Sequence, residues 1–504
     1  MSYINGNCRT QCTISTLEEQ IDPTNAVRLV DAIVERVFQD DIGKYAIKGK
    51  SRTGRPAYHP KDMLKLYVYG YMNRIASSRR LETECQRNIE LKWLINDVCP
   101  DFKTIADFRS ANSDAIKELT LRVRFMLANR GLITGELMAL DGTKIKANAG
   151  ARELSYEEIS KSILDLESKI EEYLRLLQHN DLSDELDELD VSVLDSVEQI
   201  AAKISELQDK QRELQFLQKH ASESSRKKVN PTDPDSRMLK GRKESIPGYN
   251  VQIIVDSLHK LIAAALVRQS TNDRQEMLPA LENLKDTMDI EPAILLADNG
   301  YENVVVQQKL EAEGKIEVLV NIKEEKVSDD AFGKWSFKYD EEKDVYHCPM
   351  GEVMKRRGGI QRRKGRMAVV YQCKNQVCAA CPNKDKCTKS KTGRTITRYT
   401  DEKWVEEYRR KIQSPRNAAL LKRRKAIVEH VFGVLKCWMG KIPLLLRGKK
   451  KVQTEINLYS TAYNLKRLLS IFGYDKVMSM ILGNWGDYAC FIARNQFQYS
   501  QKCA

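Results

Sequence analysis

The sequence contains no run of about 18 uncharged apolar residues, so no segment is suited to cross a bilayer as a helix. No GxxxxGK(S/T) loop occurs, which argues against an ATP-driven motor and a nucleotide cofactor. The first residues, MSYINGNCRT, form no apolar signal region, so a cytoplasmic location is expected. In that compartment the twelve cysteines read as reduced thiols or metal ligands, not as a disulfide framework. Acidic residues are nearly missing from Lys355–Arg398, where fourteen Lys or Arg stand against one acid, Asp385.

What is present is a chain of 504 residues, long enough for two to four domains at about 100–200 residues each. With 30% charged and 42% hydrophobic residues, disorder throughout is excluded. The net charge of +13 suggests a polyanionic partner, with a solvated basic surface as the plain alternative. The charge is segregated, since Leu182–Asp195 is acidic instead.

Residues 1–131 read as an all-helical domain. Pro60 suits a helix start, Ser77-Ser78 can cap the next helix, and helices follow near Lys103–Ser110 and Ser113–Asn129. Short helices with scattered arginines fit either a DNA-binding domain, with a reading surface near Arg79, Arg80 and Arg109, or a plain bundle. Residues 132–153 hold a strand, buried at its start, with Asp141 in its middle. In 154–229, Ile159, Ile163, Leu166, Ile170, Tyr173 and Leu177 recur at helical spacing, and Val197, Ile200, Ile204, Leu207 and Leu214 nearly repeat them. Two long helices folded back as an antiparallel coiled-coil hairpin, inserted into the core, explain the pattern.

Strand signals resume in 230–339. Tyr249–Asp256 alternates, Leu261–Val267 follows a turn, Arg274–Met288 is helical, and Ala293–Asp298 is a short apolar strand ending in Asp. Strands mixed with a helix imply an α/β layered core. Residues 340–400 form a basic, cysteine-rich insertion. Cys348, Cys373, Cys378, Cys381 and Cys387, with His347 beside them, suit a structural Zn2+, and Cys378-x2-Cys381 has the spacing of a metal knuckle. Reduced buried thiols are the alternative. Residues 401–475 are mostly helical with a break near Ser414-Pro415, and 476–504 form an aromatic tail.

Two acids are placed at strand positions where chemistry is common. Asp141 sits within a buried strand, and Asp298 ends another, followed by Asn299, Gly300 and Tyr301. As a pair they suit a hard divalent cation. A third acid comes from helical geometry. At about 100° per residue, Ile427, Val431, Val434 and Trp438 fall opposite Glu429, while Lys422, Lys425 and Lys436 fall within about 40° of it. A carboxylate among three lysines can hold a metal while its neighbours grip phosphates, or it is a solvated helix face.

These residues, in this order, resemble the DDE transposases of bacterial insertion sequences, in the branch with a helical N-terminal domain and a cysteine-rich insertion. The resemblance rests on MALDGTKI (Met138–Ile145), GYNVQIIVD (Gly248–Asp256), ADNGY (Ala297–Tyr301), the Glu429-to-Lys436 spacing and LLLRG (Leu444–Gly448). RPAYHP (Arg55–Pro60) and DFKTIADFR (Asp101–Arg109) resemble that branch's leading domain. The resemblance implies an RNase-H-like core with Asp141, Asp298 and Glu429 as catalytic acids holding two Mg2+ (or Mn2+) ions. It further implies double-stranded DNA as partner, both terminal inverted repeats and target, and a homodimer in the DNA complex. The family's Arg upstream of the Glu is met by Arg424 or Lys425 and its downstream Lys by Lys436; no Tyr occupies the expected place, and Tyr408 lies too far off. A metal-dependent nuclease that cuts without joining, or a silent DNA-binding protein, is the alternative reading.

Overall fold

The computed structural model describes residues 10, 12, 14–39, 56–183, 191–224, 226–241, 244–322, 331–363, 365–435 and 444–485, without the side chains of 177–183 and 191–197. Arg55, Lys364, Lys436 and Trp438 lie outside the described residues, as do the side chains of Leu177 and Val197 and residues 184–190 of the acidic stretch 182–195. The chain divides into two compact units, Met1–Ala293 with Ile427–Ala504, and Ile294–Ala426.

The first unit opens with α1 (Ala26–Val37), α2 (Pro60–Met72), α3 (Ser78–Arg87), α4 (Ile89–Leu94), α5 (Phe102–Ala111) and α6 (Ser113–Asn129). Side chains that accept the first free amides fix several starts. Asn25 caps α1, His59 caps α2 ahead of Pro60, Asn88 caps α4, and Asp101 takes the Lys103 and Thr104 amides of α5. Ser77 precedes α3 as expected but makes no side-chain cap bond. Gly70 is required by close packing: a Cβ there would lie 2.7 Å from the Ile75 carbonyl oxygen.

Next come β1 (Leu137–Lys146), β2 (Leu154–Ser155), α7 (Tyr156–Ser183), α8 (Val191–Glu223), β3 (Lys228–Val229), β4 (Arg237–Lys240), β5 (Ser245–Asp256), β6 (Ile262–Arg268) and α9 (Met277–Met288). α7 and α8 pack along the rows that the spacing marked. Ile170, Ile204 and Leu207 are buried together with Leu166, Tyr173 and Ile200 against them. Nearer the base, Ile159, Ile163, Leu217 and Ala221 close on Val229, so the hairpin also buries residues of the β2–β3 ribbon beneath it.

β5 is the spine of the first unit's sheet. β1 runs antiparallel along one edge, from Lys146 opposite Gly248 to Met138 opposite Asp256. β4 and then β6 share the other edge. The expected alternation of burial in Tyr249–Asp256 does not hold, because every one of these residues is buried. The sequence alternates in polarity, yet Asn250 and Gln252 are enclosed and both donate to Asp273 Oδ1, at 2.8 and 2.9 Å. A strand covered on both faces loses the burial alternation of a half-solvated one.

The second unit starts with β7 (Ile294–Ala297), α10 (Val304–Ala312) and β8 (Glu317–Val320), a parallel strand pair joined through a helix. A second sheet follows: β9 (Lys338–Asp340), β10 (Val345–His347), β11 (Val353–Arg356), β12 (Gln361–Arg363) and β13 (Arg366–Gln372), then short helices α11 (Asn375–Ala379) and α12 (Lys384–Cys387), then β14 (Thr395–Tyr399). Its core is Phe337, Tyr346, Met354, Tyr371, Cys373 and Ile396. α13 (Glu402–Gln413) anchors to the parallel pair through buried Tyr408, whose hydroxyl accepts from the Val320 amide at 2.9 Å and donates to the Val318 carbonyl at 3.0 Å.

α14 (Pro415–Gly433) leads back into the first unit, which ends with α15 (Lys449–Phe472) and α16 (Tyr474–Leu482). Two side chains of α15 occupy peptide groups of β6: Asn464 bonds both N–H and C=O of Ile262, and Gln453 bonds the Val267 amide and the Ala265 carbonyl. The start of α15 is capped from far away in sequence. Asp233 accepts the Gly448 amide and Asp235 accepts the Lys449 amide, at 3.1 and 2.9 Å. Gly448 has φ +86°, which suits glycine. Asp233 also accepts the Tyr249 hydroxyl, and Asp235 meets His220 of α8.

Candidate active site

Asp141 lies in β1 opposite Ile253. The strand is fully buried from Leu137 to Leu140 and half-buried at Asp141 and Gly142. This break in burial leaves the carboxylate reachable. Its Oδ1 accepts the Gly142 amide at 2.8 Å.

Glu429 belongs to the same unit. It is exposed on α14, while Ile427, Val428 and Val431 beside it are buried. Phe432 and Leu435, at and just past the end of α14, border a small void with Thr143, Ile145, Val251 and Ile253. The helix carrying Glu429 is thereby seated on the face of the β1–β5 pair whose strand carries Asp141. Val434, assigned to the buried stripe, is half-buried.

Asp298 belongs to the second unit. It follows the last residue of β7 and caps the turn Asn299–Tyr301, with Oδ1 accepting the Asn299 amide at 2.7 Å. Its carboxylate is about half exposed and stands 3.8 Å from the guanidinium of Arg424. Asp298, Arg424, Lys422 and Lys425 line one cleft of roughly 550 Å³, which Arg409 of α13 also borders. Lys422 and Lys425 are exposed, and Arg424 is mostly buried. Lys436 is outside the described residues.

Arg409 was not singled out by the sequence. Its guanidinium lies 3.8 Å from the centre of the Trp335 ring, which leaves the in-plane N–H groups available to an anion. The available signal was weak: Arg409 follows Tyr408 in a helix whose inward residues are Val405, Tyr408 and Ile412.

In the helical region, Arg79 and Arg80 are exposed on α3, and Arg79 stacks over Phe102 at 5.0 Å. Arg109 must be corrected. It is 3% exposed and cannot form part of a DNA-reading surface. It donates to the Tyr71 hydroxyl and the Ala76 carbonyl and pairs with buried Glu455 at 3.5 Å. The cause is its place in α5, where Ile105, Phe108 and Arg109 share the inward face.

All five cysteines of the candidate zinc set line one cavity of roughly 340 Å³, with Phe337, Met354 and Val377 among its apolar walls. Burial pushes the Cys373 thiol up to about 11, with neighbouring Cys378 and Cys348 adding to it; burial raises Cys387 as well. Thiols gathered on the wall of one cavity have the donor chemistry that a soft cation satisfies. His347 is not on the cavity wall; its Nε2 stands 3.8 Å from Asp340. Among the described residues, no group of three or more His, Cys, Asp or Glu is arranged to hold a metal ion. No helix among them is long and apolar enough to cross a membrane.

Comparison with known proteins gives two family matches. Residues 15–111 match a transposase domain (DUF772), and residues 347–469 match a transposase DDE domain. The first match spans α1 to α5; the second runs from the end of β10 through Glu429 into α15. No curated protein matches the chain. Among solved structures, a cryo-EM structure of a piggyBac transposase synaptic complex with hairpin DNA aligns over 91% of this chain and 85% of that one, at 9% identity and a TM-score of 0.25. That low score carries no argument about the fold. One transposase match over the leading helices and another over the segment that holds Glu429 support a DDE transposase of an insertion sequence, an enzyme that cuts and joins DNA strands.

Proposed function

We propose that Asp141, Asp298 and Glu429 are the catalytic acids of this transposase, set in an RNase-H-like core. The observation that carries the reading is Asp298 itself, a strand-end carboxylate opening onto a cleft edged by Arg409, Lys422, Arg424 and Lys425. Cations there suit the phosphates of a DNA strand, and the acid suits a metal that works on one of them. Carboxylate donors fit Mg2+ or Mn2+, hard ions that prefer oxygen. Two such ions would supply activation of the attacking oxygen and stabilisation of the leaving 3′ oxygen in an in-line displacement.

The chain's own residues do the rest. Arg424 offsets the charge of Asp298 beside the strand. Lys422 and Lys425 lie along the helix of Glu429 and, together with Lys436 seven positions after that acid in the sequence, hold phosphates on either side of the cut. Water as nucleophile frees the element's end, and the freed 3′-hydroxyl joins it to target DNA. Arg79 and Arg80 on α3 supply contacts to terminal repeats. A homodimer holds the two ends, and the reaction takes place on double-stranded DNA in the cytoplasm. Four of Cys348, Cys373, Cys378, Cys381 and Cys387 would supply the tetrahedral ligands of a structural Zn2+ bracing the basic sheet from β9 to β14.

The test is cleavage of terminal-repeat DNA in Mg2+ by Asp141→Asn, Asp298→Asn and Glu429→Gln. Each should lose both cleavage and joining while binding the DNA within about threefold of wild type. Wild-type cleavage by any one of them removes that residue from the set. Cleavage without any joined product, in the unmodified protein, would leave a nuclease instead.

A further inference from the structure

In the first unit, α6 and the first turns of α15 border a second cleft, of roughly 450 Å³. Lys117 and Arg124 come from α6, and Lys449, Lys450 and Gln453 from α15; among the described residues the one acid on its wall is Asp114. None of the three catalytic candidates borders it. Lys117 and Lys450 are exposed, whereas Arg124 is 3% exposed.

Arg124 is the anomaly. Its Nη2 donates to Ser460 Oγ at 3.0 Å, and its Nε is buried with no hydrogen-bond partner among the described residues. No carboxylate among them offsets its charge, and burial alone holds its pKa down, at about 10. A guanidinium stays protonated under such conditions, so the fold carries a buried charge with no counter-charge among the described residues. The start of α15 is already partly met by acids, since Asp233 takes the Gly448 amide and Asp235 the Lys449 amide. The demand for an anion comes from the side chains.

We propose that this cleft binds a phosphate group, with one oxygen accepting from Arg124 Nε and the others facing the ammonium groups of Lys117, Lys449 and Lys450. Four cations against one carboxylate favour an anion with more than one negative oxygen. A group with several oxygens can answer donors arriving from two different helices at once. The volume leaves space for whatever the phosphate is attached to. Two sources share this chemistry: the backbone phosphodiester of DNA, and free phosphate or a small phosphomonoester.

The experiment uses the full chain and inorganic phosphate as probe. Phosphate should raise the melting temperature of the wild type more than chloride does at equal ionic strength. Arg124→Met should weaken phosphate binding at least tenfold by calorimetry. Lys117→Gln combined with Lys450→Gln, both at exposed positions, should weaken it several-fold and guards against a misfolded Arg124 variant. Salt titration of binding to random duplex then separates the sources. If a backbone phosphate is the occupant, each variant flattens the slope of log affinity against log salt, by about 0.9 for every phosphate no longer neutralised. An unchanged slope, with the phosphate response abolished, assigns the cleft to free phosphate. A wild type that responds to phosphate no more than to chloride, with slopes unchanged in every variant, overturns the proposal.

Discussion

Arg109 and Arg124 are both 3% exposed, and both reach side chains of α15. Each leaves its Nε without a hydrogen-bond partner among the described residues. They differ in what balances the charge. Arg109 has Glu455, the Tyr71 hydroxyl, the Ala76 carbonyl and the face of Tyr67. Glu455 in turn accepts the Leu445 and Leu446 amides, so this pair also pins the LLLRG segment. Arg124 has one neutral hydroxyl and a cleft lined with further cations. A buried charge that is met inside the protein serves structure; on the proposal above, one left unmet among the described residues marks where an anion binds.

The contrast can be broken by removing each charge in turn. Arg109→Met strands Glu455 as a buried, unbalanced acid and should cost about 3–5 kcal/mol by chemical denaturation at neutral pH. A loss under about 1 kcal/mol would mean that the pair is not structural. The second test uses pH. Burial holds the Glu455 carboxyl above its ordinary 4.5, against the pull of Arg109. Without Arg109 that displacement grows. A raised acid is most favourable to the fold below its unfolded value and loses that benefit as pH rises through the folded value. The deficit of Arg109→Met against wild type should therefore be widest near neutrality and narrow as pH falls toward 4.5; a deficit that is flat across this range would contradict the assignment.

Tyr71→Phe removes one hydroxyl shared by Arg109 and Glu455, and should cost about 1–2 kcal/mol at neutral pH. Arg124→Met sits at the bottom of the scale. In phosphate-free buffer without DNA it should lie within about 1 kcal/mol of wild type, or be more stable, because an unbalanced charge is replaced by an apolar chain of similar length. A loss as large as that of Arg109→Met would show the two arginines to be alike.

Sequence reasoning reached the parts of the molecule governed by local pattern. The rows Ile159, Ile163 and Leu166, Ile170 mark the helix faces that meet in α7 and α8. Apolar runs locate β1, β5, β6 and β7 to within a few residues, and Asp298 does follow a strand. What it missed depends on partners distant in the chain. Arg109 looked like a surface cation until Glu455, 346 positions later, supplied a reason to bury it. The positions Ile105, Phe108 and Arg109 already fell on one helical face, so an inward arginine was legible to a stricter count. Asn250 and Gln252 looked solvated because nothing in their own strand pointed to Asp273. Arg409 entered the cleft of Asp298 through its stack on Trp335, a contact that no spacing encodes.

The cap on α15 has a consequence for how the protein is made. Asp233 and Asp235 leave the ribosome more than two hundred residues before the Gly448 and Lys449 amides they receive. At about 5–20 residues per second, that interval is on the order of tens of seconds. Through it the nascent chain must carry β6 without the Gln453 and Asn464 that cover its peptide groups, and Arg109 without Glu455. The second unit is synthesised entirely inside this interval, so it has time to fold before the first can close. A ribosome that stalled before α15 would leave a product with an exposed strand edge and an unmatched arginine, features that invite aggregation or proteolysis. Completion of translation is thus built into the fold as a condition for a stable first unit.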